Sequence, residues 1–446
     1  MNIPVSKLLD PSDYVDDRID EGICRVDRSI FTDEDLFELE IKNIFEANWV
    51  YLAHESQLAN PNDFFSTWIG RQPVLVTRNA DGELKAFINA CAHRGVTLTR
   101  EDSGNREEFS CPFHGWIFNT NGDNIGVMNE RRGGYPDTFC KKDMGLTPLP
   151  RLTSYRGFIF GSLSDDVVSL EEHLADATKM IDLMADQSPD GLEVLPGYST
   201  YTFDGNWKVQ AENGVDGYHV FATHGNYVMT TEHRKELMAD KDAVKAMEVG
   251  GVGRAESGFF DFGQGHVTLY AAWPNPCDRA IYPNLDQYKS EFGEEHANWM
   301  VGYLRNTLLY PNMFLMDQMS SQIRVFRPLA VDKTEVTIFC IAPVGENPEA
   351  RNHRIRQYED FFNASGMATP DDLAEFTAAQ DGFNGKIARW NDLRRGIQHL
   401  SDGPNDAAKR LGITPVTCGD QLEDEGIMIA QHRYWRDCMQ GADRSK

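Results

Sequence analysis

The stretch Cys91–Trp116, CAHRGVTLTREDSGNREEFSCPFHGW, holds two cysteine–histidine pairs, Cys91 with His93 and Cys111 with His114, with seventeen residues between them. Thiolate and imidazole are the usual donors for zinc and for iron–sulfur clusters, so two of each in one short segment point to a metal site. The flanking residues suit a clamp made of backbone loops. Gly95 and Gly115 allow close backbone approach, and Pro112 stiffens the second loop.

Spacing separates the two metals. A structural zinc finger accepts two Cys and two His, but it usually pairs Cys with Cys and His with His. Here each loop supplies one of each, Cys-x-His and then Cys-x-x-His. That arrangement suits a Rieske [2Fe–2S] cluster, in which two Cys hold one iron and two His the other.

The segment lies among short β-rich runs from Trp49 to about Leu163 (WVYLAH, FFSTWIG, PVLVTR, KAFIN, GWIFN, GFIFGSL), broken by turn signals such as Asn79-Ala80-Asp81-Gly82 and Asn121-Gly122. This predicts a small all-β domain over 46–163. Before it, Thr32 is placed to cap a helix whose apolar residues Phe37, Ile41, Ile44 and Phe45 recur at helical spacing. After it, helical patterns such as Arg351–Phe362 alternate with strand-like runs such as Glu335–Ile341. Residues 1–45 and 164–446 are therefore expected to form a larger α+β domain. No internal repeat or low-complexity linker interrupts the chain.

At 446 residues the chain is too long for a single ordinary core, which agrees with two domains. Its 43 basic against 69 acidic residues leave a net charge of −26, which opposes binding to nucleic acid or anionic membranes. No apolar run is long enough to span a bilayer and no signal-like segment opens the chain, so a cytoplasmic location is expected. The eight cysteines are scattered, as for reduced thiols or metal ligands rather than a disulfide framework.

A second constellation lies in NWKVQAENGVDGYHVFATHGNY, from Asn206. Asp216 and His219 share a helix face, but His224 sits five residues past His219, about 140° around an ideal helix. For both histidines to bind one metal the helix must distort or end between them, and Gly225 offers a place for that ending. Two His and one carboxylate form the facial triad of non-heme iron(II) oxygenases, which leaves open coordination positions. The segment NASGMATPDDLAEF offers Asp371 and Asp372 in the first turn of a helix opened by Pro370. Acids are common at such a position for the helix dipole alone, so spacing leaves the choice between them open.

Taken together, CAHRG with CPFHGW, Asn206-Trp207-Lys208, Glu212-Asn213, Asp216-x-x-His219 and His224 resemble the large (α) subunits of Rieske non-heme iron aromatic-ring-hydroxylating dioxygenases. INACAHRG, DGNWKVQAENGVDGYH, RQYEDFFNASGMATPDDL and WPNP are most similar to the benzoate, toluate and anthranilate 1,2-dioxygenase branch. The resemblance covers nearly the whole chain. It implies a Rieske domain followed by a helix-grip catalytic domain, an antiparallel sheet covered by helices. It implies that Cys91, His93, Cys111 and His114 hold the cluster, and that His219, His224 and Asp372, with Asp371 in reserve, hold a mononuclear iron. Asp216 is implied to orient His219 and to bridge to the Rieske histidine His114 of a neighbouring subunit in a trimer.

The implied reaction is cis-dihydroxylation of an aromatic ring by dioxygen, with a benzoate-like carboxylate as the expected substrate. Electrons are expected from NADH through a flavin and iron–sulfur reductase, and a small β subunit is the expected partner in an α3β3 or α3 assembly. Gly225 stands where this branch is expected to carry a large aromatic residue, which implies a bulkier or differently substituted ring. Two other readings remain: a Rieske monooxygenase or demethylase, which uses the same two sites, and a plain electron carrier with the remainder of the chain structural, against which the Asp216, His219, His224 and Asp372 set argues. The remaining eight histidines lack a ligand-spaced partner and are assigned to surface or packing. Lys208 is assigned to packing or a salt bridge.

Overall fold

The structure, a computed structural model, describes residues 10–238, 255–318 and 321–441. The chain divides into two compact units, residues 45–170 and residues 1–44 with 171–446.

The smaller unit is built from three antiparallel sheets. Strands β1 (Val50–His54), β2 (Asp63–Ile69), β3 (Gln72–Arg78), β4 (Leu84–Ile88), β5 (Ser103–Asn105), β6 (Glu108–Ser110), β7 (Ile117–Asn119), β8 (Asn124–Gly126), β9 (Arg151–Tyr155) and β10 (Phe158–Ser162) follow in chain order. They pair as β4-β3-β2-β5, β8-β7-β6 and β9-β10-β1. The β-branched and aromatic runs of the sequence fill these strands, as half-buried pleated surfaces favour. One core joins Phe64, Leu75, Phe109, Trp116 and Phe118 to both Cys91 and Cys111. A second gathers Val50, Leu52, Val74, Val76 and Ile159.

The larger unit carries a nine-stranded antiparallel sheet. Its strands are β11 (Leu192–Phe203), β12 (Ser257–Asp261), β13 (Val267–Ala272), β14 (Tyr303–Leu309), β15 (Met313–Asp317), β16 (Ser321–Ala330), β17 (Lys333–Pro343), β18 (Ser401–Asp402) and β19 (Thr417–Gly419). They lie in the order β11-β17-β16-β15-β14-β13-β12-β19-β18. Because side chains alternate across a strand, residues in register share a face. Leu269, Asn306, Met316 and Gln322 form one such row, and Leu308, Phe314 and Arg324 another. The opposite face carries Asp317, which pairs with both Arg305 and Arg279, and Tyr270 and Tyr303 against Trp299.

Helices α1 (Glu34–Glu40), α2 (Trp207–Asn213), α3 (Val220–Thr223), α4 (Gly225–Leu237), α5 (Pro348–Asp360), α6 (Thr369–Phe383) and α7 (Gly426–Met439) pack with this sheet. The cap of α1 is Asp33, not Thr32: its Oδ1 accepts from the amides of Asp35 (2.9 Å) and Leu36 (3.0 Å). A carboxylate also complements the helix dipole better than a hydroxyl. Asn206 caps α2 through the amide of Lys208 (3.0 Å). At the far end of α2, Gly214 brings the chain onto the sheet, because a Cβ there would lie 2.3 Å from the Phe314 ring.

A buried carboxylate ties α1, α2 and α7 together. Glu40, fully buried, accepts from Lys208 Nζ (2.5 Å), Trp207 Nε1 (2.7 Å) and Trp435 Nε1 (2.6 Å). Burial lowers the Lys208 pKa, and Glu40 opposes that shift. Removing one partner would strand the other's charge in the core. Glu40→Ala is therefore expected to destabilise the larger unit by about 3–5 kcal/mol, measured as a lower denaturant midpoint, whereas a combined Glu40→Gln, Lys208→Met variant is expected to lose less.

Candidate metal centre

The two Cys–His loops of the smaller unit share one backbone design. In the first, the Gly95 amide donates to the Cys91 carbonyl (2.8 Å) and the Cys91 amide to the Val96 carbonyl (2.9 Å). In the second, Gly115 donates to Cys111 (3.0 Å) and Cys111 to Trp116 (2.7 Å). Both glycines take positive φ, +73° and +66°, which closes each turn in a conformation that other residues enter at a cost. The first loop follows β4, and the second joins β6 to β7.

Both cysteines are buried and neither forms a disulfide. Burial, with a weaker contribution from the neighbouring Cys111, pushes the Cys91 thiol up. The histidines lie further out. The ring of His93 stacks on Trp116 (4.8 Å, 10° between planes) and meets that of His114 edge-on (4.6 Å). Two inner thiols and two outer imidazoles are the donor set of a Rieske cluster, and the residues present fit it.

In the larger unit the chain leaves α2 at Asn213, turns through Asp216, and enters the single-turn helix α3 directly after His219. His224 breaks the helix with φ −97° and ψ 22°, and α4 begins at Gly225. The break thus falls on the histidine itself, and Gly225 starts a helix instead of ending one. This distortion brings the two imidazoles together. His219 Nε2 and His224 Nε2 lie 3.2 Å apart, and Asp372 Oδ1 is 3.4 Å from the first and 3.3 Å from the second. Three donors about 2.1 Å from one ion at right angles would be about 3.0 Å apart, so the triangle fits a single metal. Among the described residues these three form the metal-competent group, and Asp372 rather than Asp371 belongs to it. Both acids lie in the first turn of α6, which Pro370 opens.

Electrostatics make the triad poorly stable without a cation. Burial raises the Asp372 carboxyl to about 6 and lowers His224 to about 4. Burial also lowers His219, but Asp216 and Asp372 outweigh it and the net shift is upward. His219 Nδ1 lies 3.1 Å from Asp216 Oδ2, within ion-pair distance though off the line of a straight hydrogen bond. Asp216 Oδ1 accepts from the Tyr218 amide (2.7 Å). Asn213 Nδ2 approaches both His219 Nε2 (3.3 Å) and Asp372 Oδ1 (3.4 Å). The buried His224 Nδ1 has no hydrogen-bond partner among the described residues.

The triad opens into a pocket between the helices and the sheet. Val220, Phe221, Phe361 and Phe362 form apolar walls on the helix side, and Leu304 and Met316 do so on the sheet side. Gly225 is not among the lining residues, and a Cβ there would meet nothing within 4 Å, so this glycine does not set the pocket's volume as the sequence suggested. Sequence reasoning missed Asn213 as a neighbour of the triad and Arg324 as the lining cation. An arginine in an alternating strand reads as solvent-facing, and only the neighbouring strands reveal that its side is covered. No helix among the described residues is long and apolar enough to cross a membrane.

Comparison with known proteins assigns both regions. Residues 48–140 match the Rieske [2Fe-2S] domain family, and residues 192–441 match the ring hydroxylating alpha subunit catalytic domain. The chain is 51% identical to the toluate 1,2-dioxygenase alpha subunit of Pseudomonas putida, over 96% of this chain and 94% of that protein. It is 49% identical to the 2-halobenzoate 1,2-dioxygenase large subunit of Burkholderia cepacia (94% and 90% covered) and 48% identical to the anthranilate 1,2-dioxygenase large subunit of Acinetobacter baylyi (95% and 91%). The naphthalene 1,2-dioxygenase from Rhodococcus sp., solved with bound indole, superposes with a TM-score of 0.81 at 26% identity, covering 94% of this chain and 95% of that one. With a cluster-binding domain, a catalytic domain for mononuclear iron and this full-length similarity, the chain belongs to the Rieske-type ring-hydroxylating dioxygenase alpha subunits.

Proposed function

We propose that this protein is the terminal oxygenase large subunit of an enzyme that cis-dihydroxylates an aromatic ring bearing a carboxylate, close in chemistry to benzoate. The observation that carries this reading is the triangle of His219, His224 and Asp372 atoms, 3.2–3.4 Å on a side, opening into a largely apolar pocket with aromatic walls. Three relatives at 48–51% identity over nearly the full length are named for ring carboxylates, and this supports the substrate class.

In this reading Cys91, His93, Cys111 and His114 hold the cluster, and His219, His224 and Asp372 hold the iron. Iron(II) bound there supplies the open coordination positions at which dioxygen is activated, with electrons from NADH delivered through a reductase and the Rieske cluster. Asp216 accepts the Nδ1 proton of His219 and so keeps Nε2 unprotonated and turned toward the metal. Phe361, Phe362 and Val220 hold the ring by apolar contact and exclude water from the reacting face. The large subunit assembles as a trimer, α3β3 with a small β subunit or α3 without one, and works in the cytoplasm.

His224→Ala is expected to lose the mononuclear iron and all ring oxidation while keeping the rhombic electron paramagnetic resonance signal of the reduced cluster; Cys111→Ala is expected to lose that signal. Iron(II) binding to the mononuclear site is expected to weaken as pH falls, first as protons compete for His219, whose pKa is raised, and further below about 6, where they compete for Asp372; chelator competition across pH 5–8 measures it. With benzoate and ¹⁸O₂, both labelled atoms are expected in a cis-diol product. A product with one labelled atom would instead support the monooxygenase reading.

A further inference from the structure

Four arginines are buried among the described residues: Arg279, Arg305, Arg324 and Arg354. Three of them have carboxylate partners. Arg279 and Arg305 pair with Asp317, and Arg354 pairs with Glu346 (2.6 Å). Arg324 is the exception. It is 2% exposed, and its Nε and Nη2 have no hydrogen-bond partner among the described residues. Its guanidinium carbon lies 5.2 Å from the centre of the Phe362 ring, a contact that supports a cation without neutralising it.

The position of Arg324 gives that unpaired charge a purpose. On β16 it stands opposite Phe314 of β15 and Ile338 of β17, on the sheet face that lines the pocket. The helices present His219, His224 and Asp372 to the same pocket from the other side. Among the described residues the acids lining it are Asp216 and Asp372, and both are engaged: Asp216 with His219 and the Tyr218 amide, Asp372 with the two histidines. Arg324 acts on Asp372 only through space, and once Asp372 serves a divalent cation no lining acid among the described residues is left to pair with the guanidinium. A buried unpaired guanidinium is costly, and its planar fork matches a carboxylate in two parallel hydrogen bonds.

We propose that Arg324 binds the carboxylate of the ring substrate, and so selects ring acids over neutral rings and fixes which edge of the ring faces the iron ligands. The proposal rests on the ring-carboxylate reading above. The walls are largely apolar, with Asn306 and Gln318 as neutral polar groups, and Arg324 is the one lining cation among the described residues that could pair with a carboxylate's charge. Arg324 is thus a specificity residue that touches substrate and takes no part in holding the metal.

The test compares benzoate with nitrobenzene, a neutral ring of the same shape, in the assembled oxygenase with its partner subunits. Dissociation constants and KM are measured for wild type, Arg324→Met and Arg324→Lys, alongside iron content, cluster signal and thermal midpoint. Wild type is expected to prefer benzoate. Arg324→Met is expected to weaken benzoate binding by about 30-fold or more, leave nitrobenzene binding unchanged or tighter, and keep its iron. Arg324→Lys keeps the charge but loses the fork, so it should retain the preference at reduced affinity; it also serves if the methionine variant does not fold. Equal weakening for both ligands, or benzoate binding untouched in both variants, overturns the assignment of Arg324 while the ring-carboxylate reading stands. A wild-type enzyme that binds nitrobenzene but no ring carboxylate overturns that reading, and this proposal with it.

Discussion

The larger unit depends on one buried carboxylate. Glu40 receives the ammonium of Lys208 and the indole N–H groups of Trp207 and Trp435, and so draws the N-terminal helix, the helix leading to the metal site and the last helix to one point. A charge without water around it tolerates little displacement of its partners, because each lost contact exposes an uncompensated group to the apolar interior. α2 is fixed at its start by this cluster and at its end by the press of Gly214 against Phe314. Between these points lies Glu212, which accepts from His432 of α7 at 2.6 Å. The triad therefore begins from a rigid foundation, although the chain that carries its histidines is itself irregular.

That irregularity is where the chemistry lies. A regular helix cannot aim residues 219 and 224 at one point, and the chain resolves the conflict by stopping at His224 and starting again. The cost of the break is recovered only when a cation binds, because the metal-free triangle holds a carboxyl raised by burial next to a histidine lowered by it. Structure and ligand are thereby linked: the donors find only long contacts within the protein, from Asn213 to His219 Nε2 (3.3 Å) and Asp372 Oδ1 (3.4 Å), and His224 Nδ1 has no hydrogen-bond partner among the described residues.

Much of this was legible in the sequence. The Cys–His loops, the β-rich runs and the His219–His224 spacing carry their chemistry in short, local patterns, and the structure places each on the expected kind of element. Local signals failed where the answer depended on packing. Thr32 and Asp33 are both good caps, and only the direction of the entering chain selects the second. Asp371 and Asp372 are equivalent by helix-dipole arguments, and only the rotation of α6 distinguishes them. Gly225 suggested a larger pocket because it follows a histidine, yet it faces away from the cavity. Arg324 gave no signal at all, since its burial comes from strands distant in sequence.

The two faces of the nine-stranded sheet divide the labour by residue parity. On the back, Arg305 and Arg279 share the carboxylate of Asp317 and Trp299 stacks with Tyr303, so the polar groups of that face are engaged within the protein. On the front, Leu304, Asn306, Met316 and Arg324 look into the cavity. Neighbouring positions on one strand thus answer to different selective pressures. Substitutions at front positions change which ring is accepted and leave the ion cluster behind them intact. A lineage of such enzymes can therefore move between substrates in single steps without first acquiring spare stability.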